Sequence, residues 1–132
     1  MATKATQNRI LNTAIALFNE YGTAKISANR IADECGLSRG NLYYHFNNKQ
    51  AIINAIYERM ASEVKNSWVN DIEQPTVEHM LRMFDRQLEL IWRYRFFYRE
   101  LMALLAEDET LQLRFSKDRQ SRTGVIVEYC QA

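Results

Sequence analysis

Hydrophobic residues recur at helical spacing from near the start of the chain. An i, i+4, i+7, i+8, i+11 stripe is formed by Ile10, Ala14, Leu17, Phe18 and Tyr21. This period places these side chains on one face of a helix that ends at about Tyr21, where Gly22 closes it. Residues 1–6 before the stripe are polar, and we expect them to fray. The stripe predicts a structural helix that covers the following segment from behind.

Two further stripes of helical period follow. The first is the i+4 row Ile52, Ile56, Met60, Val64 and Trp68. Asn48 can cap this helix, and Pro75 ends the pattern because proline pushes the preceding residue out of the helical region. Thr76 can cap the next helix. Its apolar face is marked by Val77, Met80, Leu81, Phe84, Leu88, Ile91 and Trp92. A last helix is expected from residue 111 to about 131, interrupted or ended by Gly124.

Residues 27–49, between these stripes, predict two short helices joined by a glycine turn. Ser27 is a suitable N-cap because its hydroxyl can accept a hydrogen bond from a first-turn N–H group. Gly36 can end this helix in the left-handed conformation, and Ser38 can cap the next helix. The turn is therefore only three or four residues long, which is the connection length of a helix-turn-helix.

The second of these helices, from residue 39 to about 46, carries side chains that can read DNA. Leu42 and Phe46 are four residues apart and are expected to face inward. The outward arc holds Arg39, Asn41, Tyr43, Tyr44 and His45. Arginine can bond guanine bidentately, asparagine can bond adenine in the same way, and tyrosine and histidine can reach phosphates or thymine methyl groups. An aromatic core helix is the alternative, but the glycine turn and both caps argue against it.

Two stretches of this region resemble the tetracycline-repressor (TetR) family of bacterial transcription regulators. They are R-I-L-N-T-A-I-A-L-F-N-E-Y-G, typical of the first helix of that family, and G-L-S-R-G-N-L-Y-Y-H-F-N-N-K. The resemblance begins near Lys4, runs to about Val64 and fades beyond it. It implies a three-helix bundle with a helix-turn-helix, followed by a linking helix and part of an α-helical ligand-binding and dimerisation domain.

The resemblance also implies a division of the chain. Residues 4–64 are expected to form a DNA-binding domain, with the helix-turn-helix at 27–46, and residues 76–132 part of an α-helical regulatory domain. Members of the family usually extend further and build a homodimer largely with their last two helices, which have no counterpart here. The chain is therefore expected to be a truncation or a fragment, or to dimerise through residues 92–130 in another way.

The expected partner is operator DNA, in double-stranded form. The residues assigned to it are Ser27, Asn29, Ser38, Arg39, Asn41, Tyr43, Tyr44, His45 and Lys49. Lys49 stands at the start of the fourth helix, where the partial positive charge of the helix and its exposed N–H groups suit a phosphate, and the family uses the equivalent lysine in this way. Lys4 and Arg9 are candidates for further phosphate contacts, with solvated surface charge as the alternative.

Regulators of this family hold a small-molecule effector between helices of the second part. Aromatic and methionine side chains often line such pockets. The corresponding candidates are Trp92, Phe96, Phe97 and Met102. Plain core packing is the alternative, because aromatic stripes of helical period also build cores. The interleaved Arg93, Arg95 and Arg99 also fit a nucleic-acid patch, although acidic neighbours argue against it.

Composition and charge narrow the fold class and the compartment. A chain of 132 residues with 47% hydrophobic residues, one proline and four glycines fits a single all-α domain, or a small domain with part of a second. The net charge is +1, but residues 1–50 hold six Lys/Arg against three Asp/Glu, so positive charge concentrates at the helix-turn-helix. Long apolar stretches are absent, so we expect a cytoplasmic protein that does not enter the membrane. Cys35 and Cys130 have no ligand spacing, and neither a metal nor a cofactor is predicted.

No enzyme motif is evident in the sequence. Neither G-x-S-x-G nor H-E-x-x-H occurs, and Asp85 and Glu89 have the i, i+4 spacing typical of a solvated helix face. The predicted function is a sequence-specific DNA-binding transcriptional regulator, a ligand-responsive repressor. The sequence leaves open an activator, a small helical enzyme, and a helical protein-interaction module that has lost DNA binding through truncation.

Overall fold

The described structure of the chain, a computed structural model, is built from α-helices. It describes residues 2–69 and 76–131, with side chains for 3–67 and 76–121. The helices are α1 (Ala2–Tyr21), α2 (Ala28–Cys35), α3 (Arg39–His45), α4 (Lys49–Val69), α5 (Val77–Arg93), α6 (Arg95–Arg99), α7 (Leu101–Glu107) and α8 (Glu109–Gln131). The predicted all-α class is confirmed. In the described residues no helix is long and apolar enough to cross a membrane.

The chain divides into two compact units, Met1–Arg99 and Glu100–Ala132. The first unit thus contains the helix-turn-helix together with α5 and α6. The boundary predicted at residue 76 lies inside this unit, and the extent of the functional domains stays a prediction.

Helix α1 is the centre of the first unit. It packs against α2, α3, α4 and α6. Ile10, Ala14 and Phe18 are fully inaccessible to solvent, as the predicted stripe requires. Tyr21 departs from the prediction because its ring is 45% exposed. The guanidinium of Arg30 lies 5.7 Å from the centroid of the Tyr21 ring and covers it in place of the core.

The N-terminal end of α1 also differs from expectation. The helix begins at Ala2, although residues 1–6 were expected to fray. Adding a turn to an existing helix gains one backbone hydrogen bond for each residue that is ordered, and no glycine or proline opposes it here. A helix anchored further along by its buried stripe can therefore extend through a polar segment.

The two helices of the helix-turn-helix are held by caps that form as predicted. The Ser27 hydroxyl accepts a hydrogen bond from the Arg30 N–H group at 3.1 Å. Gly36 has a left-handed φ of 68°, and the Leu37 N–H group donates back to the Ala32 carbonyl at 3.0 Å. The Ser38 hydroxyl then accepts from the Asn41 N–H group at 3.1 Å. These local bonds set where α2 begins and ends and where α3 begins.

The hydrophobic core behind these helices comes from each of α1 to α4. Ile31 of α2, Leu42 of α3 and Ile52 of α4 are fully buried. Phe46, expected to face inward, is half-buried where it caps the end of α3. Asn48 caps α4 by accepting from the Ala51 N–H group at 2.8 Å, as predicted.

The i+4 row of α4 is buried as far as the described side chains extend. Ile52, Ile56, Met60 and Val64 are buried, whereas the side chain of Trp68 lies outside the described residues. The predicted row is therefore the inner face of α4, and α5 packs against this helix.

The junction of α5 and α6 continues the core of the first unit. Phe96 packs on Phe18 of α1 with ring centroids 5.2 Å apart. Phe97 stacks on Tyr57 of α4 at 5.3 Å. Phe96, Phe97 and the adjoining Tyr94 are fully buried. This aromatic cluster ties the helix-turn-helix bundle to the helices that follow it.

The second unit contains α7 and α8, which pack on each other. The Asp108 carboxylate between them accepts from the Leu111 N–H group at 3.2 Å and so caps α8. Helix α8 then runs through Gly124 to Gln131, so the prediction that Gly124 would interrupt or end it is wrong. A glycine inside a helix costs only about 1 kcal/mol relative to alanine, which a long helix can tolerate.

Candidate nucleic-acid interface

Helix α3 presents a polar outer surface. Leu42 is its one buried residue, and Arg39, Gly40, Asn41, Tyr43 and Tyr44 are exposed. Tyr44 projects furthest, with 79% of its surface accessible. The predicted outward arc is therefore present as a surface at Arg39, Asn41, Tyr43 and Tyr44.

Two residues assigned to DNA are bonded to each other across the helix-turn-helix. The Tyr43 hydroxyl donates to the Asn29 side-chain oxygen at 3.3 Å, which links α3 to the first turn of α2. This bond orients both side chains on the solvent side of the turn.

The serine hydroxyls of the two caps can each donate a further hydrogen bond. The side chains of Ser27 and Ser38 each accept one bond from a backbone N–H group. A hydroxyl is also a donor, and a phosphate oxygen is an acceptor, so capping and phosphate contact are compatible in the same side chain. Both serines are exposed.

His45 lies at the last position of α3 and is half-buried. Its ring meets the Tyr44 ring edge-on, with centroids 5.2 Å apart. Its Nδ1 atom is buried and has no hydrogen-bond partner in the part of the chain that the structure describes. His45 is thus less open to solvent than the other residues of the predicted arc.

Lys49 has a structural bond that sequence reasoning missed. Its ammonium group donates to the Thr23 carbonyl at 2.8 Å and so joins the start of α4 to the loop between α1 and α2. The side chain is half-buried. An ammonium group carries three N–H donors, so two are left for a phosphate. The predicted phosphate role therefore stays open beside the structural one.

Arg9 has a similar attachment. Its guanidinium donates to the Cys35 carbonyl at 2.7 Å, at the C-terminal end of α2. A cation there satisfies a carbonyl that has no partner within the helix and suits the negative end of the helix dipole. Lys4, the other candidate on α1, is exposed. Surface charge alone is thus too simple a description of Arg9.

Asn19 is a functional candidate that the sequence interpretation overlooked. Its side-chain amide donates to the Arg93 carbonyl at 2.9 Å and accepts from the Phe96 N–H group at 3.0 Å. The Arg99 guanidinium adds a bond to the Asn19 carbonyl at 3.2 Å. The end of α1 is therefore hydrogen-bonded to both sides of the α5–α6 junction. An asparagine within an apolar helical run was the available signal.

A buried polar group lies beside this junction. The Tyr94 hydroxyl donates to the Glu63 carboxylate, and Arg93 pairs with the same carboxylate at 3.0 Å. Burial, reinforced by the negative charge and the hydrogen bond of Glu63, raises the pKa of Tyr94 to about 12. The positive charges of Arg59 and Arg93 oppose this rise without cancelling it.

The four residues assigned to an effector pocket occupy different environments. Phe96 and Phe97 lie in the core of the first unit, whereas Trp92 is 68% exposed, with the Arg95 guanidinium 4.3 Å from the centroid of the Trp92 ring. Met102 is exposed and belongs to the second unit. The pocket made of these residues stays a prediction.

A surface cavity of about 290 Å³ lies between α4 and α5. It is lined by Glu63, Asn66, Ser67, Arg86, Glu89, Leu90 and Arg93. None of the four predicted effector residues contributes to it, and six of its seven lining residues have polar or charged side chains.

Two family models together match residues 10–132. The model described as bacterial regulatory proteins of the tetR family matches residues 10–56. The model described as a bacterial transcriptional repressor matches residues 51–132. The first match covers α2 and α3, and the second extends beyond the part for which the sequence analysis found a resemblance.

Individual proteins agree with these matches. An uncharacterised HTH-type transcriptional regulator of Bacillus subtilis, YerO, is 28% identical over 93% of this chain and 46% of its own length. The class A tetracycline repressor of Escherichia coli is 34% identical over 46% of this chain and 28% of its own length. The chain thus spans about half or less of the curated relatives it matches.

A solved structure gives the same result for the fold. A TetR-family transcriptional regulator from Marinobacter aquaeolei superposes with a TM-score of 0.82 at 34% identity, over 87% of this chain and 57% of that protein. The fold over most of this chain therefore has a counterpart in an experimentally determined structure.

Proposed function

Because the chain belongs to the TetR family of bacterial transcriptional regulators, we propose that it binds an operator in double-stranded DNA through α2 and α3. The observation that carries this proposal is the outer surface of α3, where Leu42 alone is buried and donors and acceptors face solvent. The caps at Ser27, Gly36 and Ser38 hold this surface rigidly, so binding costs little ordering entropy.

In the proposed complex α3 lies in the major groove. Arg39 and Asn41, in its first turn, bond to base edges and select the sequence. Tyr43 and Tyr44, further along the helix, contact the backbone or thymine methyl groups. Lys49 and the serine hydroxyls contact phosphates and set the register of the protein on the duplex.

The functional form is proposed to be a homodimer on two half-sites. A helix of seven residues reaches only a few base pairs, and the positive excess of residues 1–50 is small. Two linked copies convert the second contact into an intramolecular step and so gain affinity without new contacts. Half-sites about one helical turn apart, or a multiple of it, are expected.

We also propose that the protein is a repressor whose DNA affinity responds to a small-molecule effector. The relative named a tetracycline repressor supports the sign of regulation. The Asn19 bonds support a route, since a shift of the α5–α6 junction would pull on the end of α1. Helix α1 also packs against α3. An effector that favours a shifted junction would thereby lower the population able to bind DNA.

Selection from a random duplex pool, followed by affinity measurement, tests the proposal. The chain should enrich a palindromic site, and Arg39→Ala should weaken binding to that site by about 1–3 kcal/mol and relax selection at one base pair. Arg82→Ala, at an exposed position of α5, is the matched control and should change neither property. A pool that shows no enrichment at low salt would instead support a protein-interaction module.

A further inference from the structure

The fold does not require glycine at position 40. Gly40 is exposed in the first turn of α3, and a Cβ atom built on it meets no atom within 4 Å. Gly36 differs, because its φ of +68° is a conformation that other residues rarely adopt. Gly40 has no such positive φ; among the described glycines, positive φ values occur at Gly22 and Gly36.

Keeping a glycine at this position lowers the stability of the helix. Glycine has more backbone freedom to lose than alanine, and the penalty in the helix-forming equilibrium is about fivefold in a helix interior and smaller in the first turn, where Gly40 lies. Helix α3 has only seven residues, so it has few other bonds to offset this penalty. Neither space nor backbone conformation within the protein accounts for glycine at this position, whereas a molecule docked on the exposed side of the helix would.

The position of Gly40 identifies what docks there. It lies directly between Arg39 and Asn41, the two side chains assigned to base edges, and Tyr43 and Tyr44 extend from the following turn. Long side chains on either side can reach into a groove only as far as the backbone between them allows. A missing side chain at this point lets the helix backbone approach a surface closely.

We propose that Gly40 is the point of closest approach between α3 and the base edges of double-stranded DNA. The absence of a Cβ lets the backbone sit close enough for Arg39 and Asn41 to reach their bases. This proposal rests on the function proposed above and adds a specificity-determining residue to it. On random DNA the protein is held by phosphate contacts from longer side chains, and close approach to the bases is not needed.

Gly40→Ala separates fold from function, because the two respond in opposite directions. The variant should unfold about 2–6 °C higher than the unsubstituted chain, since alanine is the better helix former. Its affinity for a duplex of about 25 base pairs, selected from a random pool with the unsubstituted chain, should fall about 5- to 100-fold, as for a methyl group forced into a packed contact. Its affinity for a random duplex of equal length should change less than about twofold.

Two further variants make the result decisive. Gly40→Leu should lose more affinity for the selected duplex than Gly40→Ala while it remains folded. Gly36→Ala should lower the unfolding temperature, because its backbone conformation is strained for alanine.

The outcomes separate this inference from the proposed function. If the unsubstituted chain binds no duplex, the proposed function fails. If it binds and Gly40→Ala binds the selected duplex equally well, only the role of Gly40 fails. Equal losses on selected and random duplexes would also overturn the assignment, because they would place Gly40 against phosphates instead of base edges.

Discussion

The solvent-exposed faces of α3 and α5 differ in polarity, and the sequence pattern of α5 does not reveal that its apolar face is the exposed one. Both helices have an N-cap hydroxyl and both leave most of their surface in water. The outer face of α3 carries arginine, asparagine and tyrosine. The outer face of α5 carries large apolar side chains: Val77 at 75%, Leu81 at 59%, Phe84 at 62% and Leu88 at 63% exposure.

A hydrophobic stripe therefore shows which side of a helix is apolar, but it does not show whether other helices cover that side. The predicted stripe of α1 is almost entirely buried, whereas the equally regular stripe of α5 faces solvent. The one buried residue of α5 is Leu90, near its end, and the Gln87 side chain donates to the Ser67 hydroxyl of α4 at 2.7 Å. The exposed face of α3 can remain stable in water because its groups are polar, and it suits a hydrated polyanion.

The largest expected effect on stability contrasts the buried Phe96 with Phe84, which lies on the exposed face of α5. Phe96→Ala should lower the free energy of unfolding by about 3–5 kcal/mol, because it empties a fully packed site beside Phe18. Phe84→Ala should change it by less than about 0.5 kcal/mol, since the side chain is already mostly in water. Urea unfolding of both variants measures the difference. Similar losses for the two would mean that the α5 face is covered in solution.

A smaller effect is expected at high pH from Tyr94, which is buried at the α5–α6 junction. The folded pKa of Tyr94 is about 12, above its ordinary value of 10.0, so the neutral phenol is favoured by folding. Its contribution of about 2–3 kcal/mol is complete below pH 10 and is lost as the pH rises from 10 through 12. Stability curves recorded across this range should fall more steeply for the unsubstituted chain than for Tyr94→Phe. Parallel curves would show that Tyr94 titrates as it does in the unfolded chain.

The smallest expected effect on stability concerns the α3 side, at Lys49. Lys49→Ala removes the bond to the Thr23 carbonyl and should cost about 0.5–1.5 kcal/mol of unfolding free energy. If the remaining N–H donors contact a phosphate, the slope of log affinity against log salt should also flatten, by about 0.9 per chain and therefore by roughly two in a dimer. Titration at several salt concentrations, on selected and random duplexes, measures this slope.

Lys25→Ala, at an exposed position of the nearby loop, is the control for general charge. A stability loss without any change of slope would leave Lys49 with the structural role alone. A slope change confined to the selected duplex would contradict a phosphate contact, because phosphates are present in every sequence.

Much of the helix-turn-helix could be predicted from the sequence because its signals act over short distances. Ser27, Ser38, Asn48 and Thr76 each accept a bond from an N–H group three residues further on. Gly36 needs only its own backbone conformation. A residue pattern within one turn is therefore sufficient to predict where these helices start and stop.

Sequence reasoning is incomplete where the partner of a residue lies far along the chain. Lys49 is predicted to contact a phosphate and Arg9 is a candidate for such a contact, and each also bonds a backbone carbonyl 26 residues away. Asn19 was not singled out at all, although its partners lie 74 and 77 residues away. Spacing within a helix does not indicate such contacts.

The all-α class, the helix caps, the glycine turn and the polar character of α3 could be predicted from the residues alone, because each follows from interactions among neighbours in the chain. The packed structure was needed to show that Phe96 and Phe97 belong to the core, that the α5 stripe faces solvent, and that Asn19 joins α1 to the α5–α6 junction. Burial depends on which surfaces meet after the helices pack. Two hydrophobic stripes of the same period can therefore be buried in one helix and exposed in another helix of the same molecule.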